Sequence, residues 1–136
     1  MKLIIYTDGA SRGNPGKASY GFTISEKSGK LIHQEGKYIG VTTNNVAEYT
    51  AVLKALQYVK DNLSEEIETT ELFADSKLVA EQLSGNFKIK AKHLKPIFQQ
   101  IKILSLELCG VTFSHVPRSE NFRADQLANE ALDRIY

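Results

Sequence analysis

An apolar, β-branched run that ends in an acid, Leu3-Ile4-Ile5-Tyr6-Thr7-Asp8, narrows what this chain can become more than any other stretch. Such a run reads as a buried strand, and a buried strand needs a sheet with helices packed on it. Gly9-Ala10-Ser11-Arg12-Gly13-Asn14-Pro15-Gly16 follows, and its glycines and proline are turn chemistry. The strand is therefore expected to end at Asp8 and to hold that carboxylate at its C-terminal edge, where open α/β sheets bind ligands. An aspartate also starts turns through its own hydrogen bonding, so this stretch alone does not mark a site.

Three more acids fall at comparable places. Ala18 to Ser25 alternates, with Tyr20, Phe22 and Ile24 on one face, and Glu26 to Lys30 turns into a return strand from Leu31 to Ile39. The chain thus opens as an antiparallel meander of three strands. Gly40 to Asn45 is turn-like, and Thr43, Asn44 or Asn45 can cap a helix over Asn45 to Asn62. At about 100° per residue, Glu48 aligns with Val52, Ala55, Leu56 and Val59, which puts an acid on the core-facing stripe. Burying an unpaired carboxylate costs several kcal/mol, so a cation or donor should stand beside it. The plainer alternative is an N-terminal acid favoured by the helix dipole, worth about 0.3–1 kcal/mol. Leu63 to Thr70, with Glu65, Glu66 and Glu68, reads as an acidic, solvated connection.

Glu71 to Ala74 is the next buried strand and ends in Asp75, which either serves a site or caps the helix from Ser76 to Leu83. Leu94 to Leu108 is amphipathic with Pro96 in its first turn, Gly110 to Val116 is the last strand, and a final helix runs from Phe122 to Arg134 with Asp125 in its first turn. These elements make one α/β domain over residues 1–136. Its sheet is five-stranded and mixed, with strands 1–3 antiparallel and strands 4 and 5 parallel to strand 1.

Composition sets limits on partners. Seventeen Lys and Arg against sixteen Asp and Glu leave a net charge of +1, so no global field announces a polyanion. The local exception is Phe87-Lys88-Ile89-Lys90, continuing to Lys95, where one edge could meet phosphates while the other packs; a solvated loop explains it equally well. The single Cys109 cannot form an internal disulfide and is expected to be packed and inert, which suits a reducing compartment. No stretch is apolar enough for a signal segment or a membrane span, so a soluble, cytoplasmic protein is expected.

Right-handed crossovers bring strand 4 beside strand 1, so Asp8 and Asp75 should lie at one edge, with Glu48 and Asp125 entering from helices over the sheet. Two carboxylates ~4 Å apart repel by ~4 kcal/mol at an effective dielectric of 20, so four need cations. No Cys or His cluster accompanies them, which disfavours zinc. All-oxygen ligands suit Mg²⁺, with Mn²⁺ as an alternative. Two such ions ~3.5–4 Å apart support phosphodiester hydrolysis.

Asp8-Gly9-Ala10-Ser11-Arg12-Gly13-Asn14-Pro15-Gly16, Thr42-Thr43-Asn44-Asn45-Val46-Ala47-Glu48, Ala74-Asp75-Ser76 and Asn121-Phe122-Arg123-Ala124-Asp125 together resemble the four signature segments of ribonuclease H type 1. The resemblance covers essentially the whole chain. It implies a ribonuclease H-like fold and a metal-dependent endonuclease that cuts the RNA strand of RNA–DNA hybrids, leaving 5′-phosphates. It also implies that Asp8, Glu48, Asp75 and Asp125 hold two Mg²⁺ ions, that Glu48 contacts a 2′-hydroxyl, and that Gly9, Asn14, Thr43, Asn44 and Asn45 line the substrate groove; Lys88 and Lys90, from the basic segment, are further candidate contacts. Many members carry a Gly-His loop before the last helix. Here His115 lies within the last strand, and Arg118 resembles the replacement found in the shorter, archaeal-type subgroup. Arginine stays protonated, so Arg118 could draw a product phosphate but not shuttle protons. Larger members insert a lysine-rich, tryptophan-bearing helix, whereas this chain has no Trp. A monomer is expected. Two alternatives stay open: a reverse-transcriptase-like nuclease that also cuts double-stranded RNA, and a catalytically weak hybrid-binding module.

Overall fold

Three long strands build most of the sheet: β1 (Lys2–Gly13), β2 (Gly16–Glu26) and β3 (Leu31–Thr42). They belong to a computed structural model that describes residues 1–63 and 67–135. β1 pairs antiparallel with β2, and β2 with β3. Helix α1 (Asn44–Asn62) follows, and of the three candidate caps Thr43 is used, its hydroxyl accepting from the Val46 N–H at 3.3 Å. β4 (Thr69–Ala74) then pairs parallel with β1. Glu65 and Glu66 of the expected acidic connection lie outside the described residues, while Glu68 is exposed. Helices α2 (Lys77–Leu83) and α3 (Lys95–Glu107) lead to β5 (Thr112–His115), which pairs parallel with β4, and α4 (Phe122–Asp133) follows. The sheet order is β3-β2-β1-β4-β5, the mixed five-stranded arrangement expected.

One boundary differs from expectation in a way that matters. β1 does not stop at Asp8. It continues through the glycine stretch to Gly13, paired with β2 all the way. What ends there is the parallel ladder, whose last pair is Thr7 with Ala74. Asp8 and Asp75 are thus the next residue on each strand, at the point where β1 parts from β4. The glycines do not break the strand because the antiparallel partner keeps supplying hydrogen bonds, and one of them is needed for helix packing.

Strand residues alternate between faces. Leu3 and Ile5 of β1, with Tyr20, Phe22 and Ile24 of β2, build a core beneath Val52, Leu56 and Val59 of α1, all 0–1% exposed. Burying each of these large side chains contributes about 1.5–3 kcal/mol. Gly9 shares that face, and a Cβ there would collide with the backbone of Ala47 and Glu48. On the opposite face Asp8, Gly21 and Gly36 form one row across β1, β2 and β3. A Cβ at Gly21 would strike Ala124 O and come within 2.7 Å of Ala128 N, and one at Gly36 would strike Leu127 O. Two glycine seats therefore lower α1 and α4 onto opposite faces of the sheet, each at the turn that carries an acid.

Cys109 is exposed rather than packed. It ends α3 with φ 62°, donating to Leu106 O at 3.1 Å while Gly110 N–H reaches Ser105 O at 2.7 Å. This paired-bond helix stop turns the C′ side chain outward. Among the described residues no helix is long and apolar enough to cross a membrane.

Candidate active site

Each acid is delivered by a different element. Asp8 comes from the middle of β1, Asp75 from the residue after β4, Glu48 from the first turns of α1 and Asp125 from the first turn of α4. The capping alternative for Asp75 is not used, because Ser76 caps α2 by accepting from Val79 N–H at 3.3 Å. Asp75 is left to face the cluster.

The four carboxyls interact. Burial first, then the charge of Asp75, a hydrogen bond with Asp125 and the charges of Asp125 and Glu48, push the Asp8 carboxyl from 3.8 up to about 9. Asp8 is 6% exposed, so water relieves little of this. Burial raises Glu48 to about 7; a hydrogen bond with Ser76 opposes the shift and the Asp75 charge adds to it. Glu48 Oε2 is buried with no partner. A buried carboxylate oxygen left without a donor, beside carboxyls that repel, is a site short of positive charge.

These residues fit a hard divalent cation in donor chemistry: carboxylate oxygens, one of them orphaned, and no thiolate or imidazole among them. As placed, no three His, Cys, Asp or Glu side chains among the described residues are gathered into a ready cage for one ion. Asp8 feels the charges of all three other acids and shares a hydrogen bond with Asp125, while Glu48 feels the charge of Asp75. Without a cation, a proton held at Asp8 answers the repulsion.

Beside the acids, the β1–β2 turn is bound to the start of α1. Asn44 N–H donates to Asn14 Oδ1 at 3.1 Å, and Ser11 Oγ donates to Asn44 Oδ1 at 2.7 Å. With the Thr43 hydroxyl also committed as a cap, the oxygens of Asn14, Thr43 and Asn44 are used within the protein. The bonds made by the Asn14 and Asn44 side chains thus engage their oxygens, not their amide NH₂ groups. Exposed Asn45 forms one wall of a cleft of about 620 Å³ whose other walls include Phe87, Lys88 and Lys90. The basic segment and the asparagine run therefore share a groove. Gly9 is under α1, where it sets the height of Glu48. Arg118 is exposed in a 3-10 turn (Arg118–Glu120), and His115 is exposed at the end of β5.

Three contributors escaped the sequence reading. Gly21 carried a signal, since an isolated glycine in an alternating strand marks a close backbone approach. Ser76 read only as a helix start. Asn121 opens the last of the four resemblance segments but reads only as the end of a polar turn; its side chain turns inward, donating to Thr7 O at 2.8 Å and to Asp75 Oδ2 at 3.2 Å.

A family model described as Reverse transcriptase-like matches residues 6–131. A bifunctional protein of Mycobacterium tuberculosis is 40% identical over 98% of this chain, which spans about a third (36%) of that relative's length. Ribonuclease HI of Halobacterium salinarum is 41% identical over 94% of this chain and 63% of its own. Among solved structures, LC11-RNase H1, isolated from compost by a metagenomic approach and crystallised in complex with an RNA/DNA hybrid, matches with a TM-score of 0.93 at 41% identity, covering 98% of both chains.

Proposed function

We propose, since this chain belongs to the ribonuclease H type 1 family in its short, archaeal-type form, that it is an endonuclease hydrolysing the RNA strand of RNA–DNA hybrids. The observation that carries the reading is the meeting of Asp8, Glu48, Asp75 and Asp125 from four separate elements. In this reading the four carboxylates hold two Mg²⁺ ions, with Mn²⁺ as a substitute. Divalent ions, when bound, supply the positive charge that an in-line phosphoryl displacement needs at its attacking and leaving oxygens.

The chain's own residues do the rest. Glu48, with an unpartnered oxygen, accepts from a 2′-hydroxyl, the group that tells RNA from DNA. The amides of Asn14, Asn44 and Asn45 donate to backbone and sugar oxygens, which fixes register without reading bases. Lys88 and Lys90 meet phosphates across the groove, and Arg118 draws the product phosphate away. The products end in 5′-phosphates, and the enzyme acts as a monomer.

Incubating the protein with end-labelled hybrid and Mg²⁺ should give RNA fragments bearing 5′-phosphates. EDTA should abolish them, and D8N should lower the rate on the order of 10³-fold. Cleavage that survives EDTA or D8N would remove the reading. The match to a reverse-transcriptase-like family model favours a second arm with an RNA duplex as substrate, in Mg²⁺ and in Mn²⁺. Equal cutting of duplex and hybrid would make the substrate double-stranded RNA as well.

A further inference from the structure

Asn121 stands at the N-cap of α4, where an asparagine ordinarily lends its side-chain oxygen to an N–H of the first turn. It makes no such bond here. Nδ2 gives one hydrogen to Thr7 O at 2.8 Å and the other to Asp75 Oδ2 at 3.2 Å. Turning the amide over would aim its oxygen at two acceptors, so chemistry sets this orientation. The residue is 1% exposed, and Oδ1 is buried without a partner among the described residues. Giving up a cap and burying an unpaired acceptor both cost stability. Such losses are accepted where the geometry of a site matters more.

The bonds reach three of the four acids. Thr7 precedes Asp8, Asp75 is held directly, and Asp125 N–H donates to Asn121 O at 3.1 Å, one helical turn on. We propose that Asn121 is a positioning residue that sets Asp75 against β1 and the first turn of α4, so that Asp8, Asp75 and Asp125 present their oxygens to a divalent cation in a fixed arrangement. This rests on reading the carboxylates as ion ligands. Without the amide, Asp75 must be ordered each time an ion binds, and affinity falls.

Asn121→Ser tests it. Serine caps a helix well, so the start of α4 stays favourable, but it is too short to bridge Thr7 and Asp75. Substrate-free wild type and N121S would be compared by Mg²⁺ and Mn²⁺ calorimetry well below the melting temperature, by melting in EDTA, and by hybrid cleavage over a Mg²⁺ series. N121S should melt close to wild type and bind the ion about 10–100-fold more weakly. Its kcat should return at saturating Mg²⁺ with KM for hybrid unchanged. A purely structural asparagine would move the melting temperature and leave ion affinity within about threefold; that result overturns the proposal. Asn121→Asp is avoided because it adds a charge; Asn121→Thr, also able to cap and equally unable to bridge, is read the same way if N121S does not fold. Weaker ion binding in the variant, with no hybrid cleavage by wild type, would sink the substrate and keep the positioning role. Normal cleavage with unchanged ion binding would do the reverse. A wild-type protein that binds no divalent ion would end both.

Discussion

Among the described residues Asp8 carries the heaviest electrostatic load, and the load has a sign. Its carboxyl titrates near 3.8 when unperturbed and at about 9 in the folded chain, so between those values the native state holds a proton that the unfolded state has released. Stability of the metal-free protein therefore falls as pH rises from about 4 towards 9. Glu48, raised to about 7, adds to the slope below neutrality. Melting in EDTA at pH 5, 7 and 9 should show a steady loss. Mg²⁺ should restore most of it at the upper end, and D8N should flatten the slope because asparagine has no proton to lose. A wild-type melting temperature that does not change with pH in EDTA would mean the carboxyls are not buried together.

Two of the acids, Glu48 and Asp125, are aimed by helix backbone that comes close only because a side chain is missing beneath it. Gly21 lets α4 settle on β2, and the first turn that settles there carries Asp125. Gly21→Ala should cost about 3 kcal/mol or more, since the added methyl meets helix backbone rather than a side chain that can move aside. Denaturant unfolding would measure that loss, and hybrid cleavage should fall with it as Asp125 is lifted from Asp8. Cys109 offers the opposite case. An exposed residue at φ 62° closing a helix suits glycine, so Cys109→Gly should raise stability by about 0.5–1 kcal/mol with activity untouched. Neither position could be valued from its own neighbourhood: Gly21 needed to know which helix crosses it, and Cys109 needed the φ of the helix stop.

At the scale of the whole molecule, charge is balanced and the groove is lined with amides and a short basic edge rather than a lysine-rich helix. Hybrid affinity should therefore fall with salt on a shallow slope, with log K against log salt implying fewer than about eight phosphate contacts. A steeper dependence in equilibrium binding titrations would require more basic contacts than the edge carrying Lys88 and Lys90 supplies. Element types and order were legible because apolar periodicity is a local property: alternation at Tyr20, Phe22 and Ile24 and the stripe from Glu48 to Val59 each report one element's buried face. Glu48 was legible for the same reason, as a charge on an apolar stripe, and Asp8 and Asp75 as acids that close apolar runs. Whether β1 ends at Asp8 or runs on to Gly13 depends on β2 being alongside to accept and donate. Whether Asn121 caps its own helix or grips Asp75 depends on what lies across from it. By itself the sequence determined the elements, their order and the four acids, because each rests on neighbours in the chain. Only the tertiary structure decided how near those acids come and which amide holds them, because those distances are set by contacts between residues far apart in sequence.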